Sequence, residues 1–137
     1  MRIHIRSCVW VIGLGLLLTA CGGTDEAKRG VADFRTLAAQ KSYGEIYRTA
    51  GPELRQGTTE EQFQRFMSAL DRKLGAWQSA DEPVWSVTRG TGGHRVRLTY
   101  QSQFTNGPAN EQFLWRIERA GPTLLGYHVN SALLATQ

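Results

Sequence analysis

The sequence predicts an α+β domain, with helices packed on one face of a curved four-stranded antiparallel sheet. Apolar residues recur at helical spacing through the first half of the folded part, and from Pro83 onward their period drops to two. Helices and strands segregated in this way along a chain pack as separate layers around one core. The length suits one such core, because 117 of the 137 residues follow position 20.

Val31, Phe34, Leu37 and Ala38 form the first apolar stripe, at i, i+3, i+6 and i+7. Tyr43, Ile46 and Tyr47 form a shorter one, which Ala50-Gly51-Pro52 interrupts. The third helix has the fullest set of local signals. Thr59 with Gln62 makes a capping box, and Glu60 and Glu61 suit the positive end of the helix dipole. Phe63, Phe66, Met67, Leu70 and Leu74 share one face, so Phe66 is expected in the core with the rest. Gly75 suits the left-handed position that ends a helix.

Trp85 and Val87 begin the alternating half. Val96, Leu98, Tyr100, Ser102 and Phe104 alternate with Arg95, Arg97, Thr99, Gln101 and Gln103, the pattern of a half-buried strand. Asn106-Gly107 marks a turn, and Pro108 predicts a loop longer than two residues. Phe113, Trp115 and Ile117 alternate with Leu114, Arg116 and Glu118, and after Gly121-Pro122 a fourth strand carries Leu125, Tyr127 and Val129.

The N-terminus carries an address. Arg2 and Arg6 precede a 13-residue apolar run from Cys8 to Ala20, too short to span a bilayer core of roughly 30 Å and flanked as a signal peptide is. The run ends in Leu18-Thr19-Ala20-Cys21, which resembles the lipobox of bacterial lipoproteins. That resemblance implies cleavage before Cys21, lipid on its thiol, and attachment to a membrane through that lipid; two or more acyl chains anchor stably where one does not. Gly22 stands where, in Gram-negative lipoproteins, an aspartate would favour inner-membrane retention, so the resemblance favours the outer membrane, facing the periplasm; in a Gram-positive source the same anchor means the outer face of the only membrane. The expected organisation is a signal peptide over 1–20, a lipidated tether over 21–29 and a single domain over 30–137. The other cysteine, Cys8, leaves with the signal, so no disulfide or cysteine chemistry is expected in the mature chain.

The helical half laid on a curved meander resembles the cystatin-like and nuclear transport factor 2-like cone fold. Residues 43–66 and 124–134, with Gly126-Tyr127-His128-Val129-Asn130-Ser131, are similar to small bacterial lipoproteins and secreted proteins of unknown function. Enzymes on such a cone work by acid–base chemistry in the pocket between helices and sheet, which calls for a polar group inside.

Two regions are candidates for function. The outer sheet face carries Arg95, Arg97 and Arg116, whose forked guanidinium groups match carboxylates and phosphates and would suit an anionic envelope polymer or an envelope protein. The interior around Trp85, Tyr100, Trp115 and Tyr127 is the candidate pocket, with Tyr100 and Asp33 as the inward polar groups. The leading expectation is a non-enzymatic binding or accessory module, and the alternative is a pocket enzyme or a carrier of small apolar ligands. Arg2 and Arg6 account for two of the four net positive charges, and with no nucleic-acid motif present no nucleic-acid partner is expected. Gly90-Thr91-Gly92-Gly93 lacks the lysine and helix of a phosphate loop and suits a hairpin. His94 and His128 lack metal-ligand spacing, so neither metal nor cofactor is expected.

Overall fold

The computed structural model describes residues 22–135. Four helices come first: α1 (Thr24–Ala39), α2 (Tyr43–Thr49), α3 (Pro52–Gly57) and α4 (Glu60–Leu74). Five strands follow, β1 (Trp77–Ala80), β2 (Val84–Gly90), β3 (Gly93–Phe104), β4 (Gly107–Glu118) and β5 (Gly121–Asn130), then a last helical turn α5 (Ala132–Ala135). All strand pairings are antiparallel. The helical layer covers one face of the curved open sheet, a cone-like α+β arrangement.

The sheet has five strands rather than four. The long strand β3 pairs with β4 over His94–Phe104, while its other edge is shared by β2 over Gly93–Thr99 and by the short β1 over Ser102–Phe104. The alternation of β1 is too brief, and its pairing too irregular, to register as a strand in sequence; a bulge separates Trp77 from Ser79. β5 closes the far edge against β4. Gly90-Thr91-Gly92-Gly93 is a hairpin, with Gly90 paired to Gly93. The β3–β4 connection is tighter than Pro108 implied. Phe104 pairs with Gly107 across Thr105 and Asn106, and Pro108 is already part of β4 opposite Gln103.

In the helical layer, α4 forms as its sequence dictates. Thr59 accepts from the Gln62 N–H while the Gln62 side chain accepts from the Thr59 N–H, and Gly75 ends the helix at φ 76°. Its buried face is Phe63, Met67, Leu70 and Leu74. Phe66 is not part of it; it is 40% exposed, and its ring meets that of Tyr127 on β5 edge-on at 6.3 Å between centroids. The stretch after Tyr43 divides into two short helices because Ala50 and Gly51 adopt extended backbone and Pro52 restarts the helix at its first turn, where a missing N–H costs nothing.

The expected tether over 21–29 is replaced by helix from Thr24 onward. The stripe of α1 extends one turn earlier than Val31, through Ala27 and Gly30, both buried. These small residues contribute little to an apolar count, so the first turns of the helix carry almost no periodic signal in the sequence. They allow a close approach: a Cβ on Gly30 would lie 2.9 Å from the six-membered ring of Trp115. The expected signal peptide and the expected lipidation site, Cys21, lie outside the described residues. No helix among the described residues is long and apolar enough to cross a membrane.

The core lies between the layers. Val31, Phe34, Ile46, Phe63 and Met67 from the helices meet Val96, Leu98, Phe113 and Trp115 from the sheet. Phe34 packs edge-on against Phe113 at 5.1 Å between ring centroids and tilts against Tyr127 at 4.8 Å.

Candidate functional site

The alternation that buries Phe113 and Trp115 also turns Ala109 and Glu111 inward, so β4 delivers a carboxylate into the interior. Glu111 is 2% exposed. Taking a carboxylate out of water costs several kcal/mol unless it is paired and hydrogen-bonded, and here three donors converge on it. Ser102 of β3 donates to Oε1 at 2.6 Å, Arg35 of α1 donates to the same oxygen at 3.0 Å, and the Tyr127 hydroxyl donates to Oε2 at 2.8 Å. Each partner comes from a different element, so the cluster forms only when helix and sheet have docked.

Arg35 follows Phe34 and sits at the flank of the apolar stripe. Its guanidinium carbon lies 4.1 Å from the centroid of the Trp77 ring and 4.7 Å from that of Tyr100, both cation–π contacts. The Trp77 indole N–H also donates to Ser102, at 3.4 Å. Arg35 Nε is buried and has no hydrogen-bond partner among the described residues. Burial pushes the Tyr127 phenol well above its ordinary value, and the adjacent Glu111 charge pushes the same way. Burial also raises Tyr100, with Arg35 pulling against it.

Beside this cluster a cavity of about 300 Å³ opens between α1, α4 and β1. Phe34, Ala38, Met67, Leu70, Leu74 and Trp77 supply apolar wall, and Arg35, Glu111 and Tyr127 supply the polar part. Lys41 and Asp71, paired with each other at 3.1 Å and partly exposed, also line it. The volume lies at the lower end of the range for small-molecule pockets, and the composition, mostly apolar with a few convergent polar groups, is typical of them. A second, more open hollow of about 330 Å³ lies across α1, between Gly30, Leu37, Ile46, Trp115 and Pro122. Its charged lining residue, Asp33, is exposed.

Of the four expected pocket residues, Tyr127 lines the cavity, Tyr100 packs under Arg35, and Trp115 is buried but borders the second hollow. Trp85 is not in a pocket. It is 57% exposed on β2, a strand at the sheet edge. Asp33, expected inward, points to solvent on α1. Sequence reasoning missed Arg35, Glu111 and Trp77. The parity of Phe113 and Trp115, carried back two residues, would have found Glu111.

Two of the three arginines proposed as an anion-binding face, Arg95 and Arg116, meet the protein's own acids. Arg95 and Arg116 stand opposite each other in register. Glu53 of α3 accepts from Arg116 and lies 3.8 Å from Arg95, and Glu118 pairs with Arg116 at 2.7 Å. Hydrogen bonding within its own residue and to Arg116 holds the Glu53 carboxyl below its usual range. Arg97, opposite Leu114, remains exposed. Among the described residues no group of three histidine, cysteine, aspartate or glutamate side chains could hold a metal.

No protein-family model matches the chain, and no curated protein matches it.

Proposed function

We propose that the protein is a lipid-anchored envelope module that binds a small amphipathic ligand in the cavity between α1, α4 and β1. The ligand's apolar body lies along Phe34, Met67, Leu70 and Leu74, and a hydrogen-bond-accepting head group meets Arg35. The observation that carries this reading is the apolar-walled cavity of about 300 Å³ with Arg35, Glu111 and Tyr127 together at its polar side.

The polar cluster favours binding over catalysis. Both oxygens of Glu111 already accept hydrogen bonds, one of them from two donors, so the carboxylate is held as a fixed anchor rather than offered as a base. The arginine face is the weaker site, since Glu53 and Glu118 already occupy its anion positions. The anchor is supported by Leu18-Thr19-Ala20-Cys21 behind a short apolar run, and Gly22 favours the outer membrane.

Titration with one apolar tail bearing three heads tests the binding. Octanoate and octanol, both acceptors, should bind by calorimetry, and octylammonium, which offers only donors, should not. Equal binding of all three would reduce the site to an apolar hollow, and no binding of any would overturn the reading. Separately, Cys21→Ser should abolish fatty-acid labelling; retained labelling would overturn the anchor.

A further inference from the structure

We propose that the β2 edge, with Trp85 and Val84, lies against the bilayer that holds the lipid on Cys21. The proposal rests on the reading of Cys21 as lipidated and adds how the domain is seated. A flexible tether would leave orientation open, but the chain has almost no slack. Gly23 caps α1 in left-handed backbone at φ 82°, and the Gly22 carbonyl lies 2.6 Å from Nε2 of His94 on β3. A Cβ on Gly22 would stand 4.0 Å from the Val87 side chain on β2. The chain therefore meets the fold beside the β2–β3 hairpin, and Cys21 is one peptide, about 3.8 Å between Cα atoms, from a fixed point. A lipid on Cys21 brings that corner to the membrane surface.

The same edge carries the largest apolar exposure among the described residues. Val84 is 76% and Trp85 57% exposed. Trp85 lies two residues from Val87 on the same strand face, about 7 Å along the strand. Val84 turns to the opposite face, so only an edge-on surface reaches both. β2 pairs with β3 alone among the described residues, leaving its outer backbone groups to the surroundings. Unpaired N–H and C=O groups are not tolerated in hydrocarbon, so the contact belongs at the level of the head groups, where tryptophan is enriched. The neighbouring polar residues fit that depth. Ser86, Thr88 and Arg89 are exposed, and the Glu82 charge is met by Lys28 of α1 at 2.9 Å.

The test uses the mature acylated protein in vesicles of phosphatidylethanolamine and phosphatidylglycerol, with acylation verified by the mass of the Cys21 peptide. Brominated acyl chains should quench part of the tryptophan emission, and Trp85→Phe should remove most of the quenchable part. Nitroxide labels give a second readout. A label at Val84→Cys should be several-fold less accessible to a water-soluble nickel relaxant than one at Gln103→Cys on the outer sheet face. Quenching that Trp85→Phe leaves unchanged, or equal accessibility at both labels, overturns the seating while the anchor stands. Absence of acyl mass on Cys21 overturns both.

Discussion

Arg35 and Glu111 stand 76 residues apart in the chain and 3.0 Å apart in the fold, joining α1 to β4 through the layer boundary. The pair is well enclosed, with the Arg35 side chain 15% exposed. Removing one member of a buried pair strands the other charge, at about 3–5 kcal/mol, whereas replacing both with apolar residues is often close to neutral. Arg35→Leu and Glu111→Leu should each lower stability in urea unfolding by about that amount. The double variant should recover most of it. Additive losses would mean that the two side chains act independently.

Gly30 should resist substitution although it is helical. Alanine would gain about 1 kcal/mol in helix propensity, yet its Cβ would stand 2.9 Å from the Trp115 ring, which is 5% exposed and enclosed. Gly30→Ala should therefore destabilise by roughly 1–3 kcal/mol. Combining it with Trp115→Leu, which removes the obstructing ring, should give less than the sum of the two losses. A melting temperature raised by Gly30→Ala would contradict the close approach.

The two phenylalanines of α4 should separate sharply. Phe63 is buried, and Phe63→Ala should cost about 3–5 kcal/mol. Phe66 is 40% exposed, and Phe66→Ala should cost far less. Equal losses by chemical denaturation would mean that Phe66 is covered in solution.

Stability should fall on the alkaline side. Burial raises the Tyr127 phenol well above its ordinary value near 10, and burial also raises Tyr100 and Tyr43. The unfolded chain then releases these protons before the folded chain does. The stabilisation is complete below about pH 10 and is lost as pH climbs past it toward the folded values. Urea midpoints between about pH 9 and pH 11 should decline, and Tyr127→Phe should flatten the decline. An identical pH profile in Tyr127→Phe would contradict the assignment.

The legible parts of the fold were those where a side chain's size and period agree. The α4 stripe with its capping box, and the alternation of β3 and β4, needed no tertiary information. Ala27 and Gly30 hid the start of α1 because small residues carry little apolar signal although they permit the closest packing. Trp85 follows the inward parity of β2 yet is exposed, since parity gives a face and not what covers it. Glu111 is the converse case. Its parity was inward, but a carboxylate is expected outside unless paired, and its partners lie on three other elements. Cavities are invisible in sequence for the same reason, since they depend on where facing side chains stop short.

Photolabelling with a diazirine-bearing octanoate, mapped by peptide mass, addresses the cavity most directly. Label should concentrate in the segments that line it, 34–43 from α1 to the start of α2, and 67–77 from α4 into β1. Excess octanoate should compete, and Ala38→Phe, which fills the wall, should strongly reduce the label while leaving the melting temperature close to the parent's. Label spread over the surface, or undiminished in a folded Ala38→Phe variant, would contradict ligand binding in this cavity.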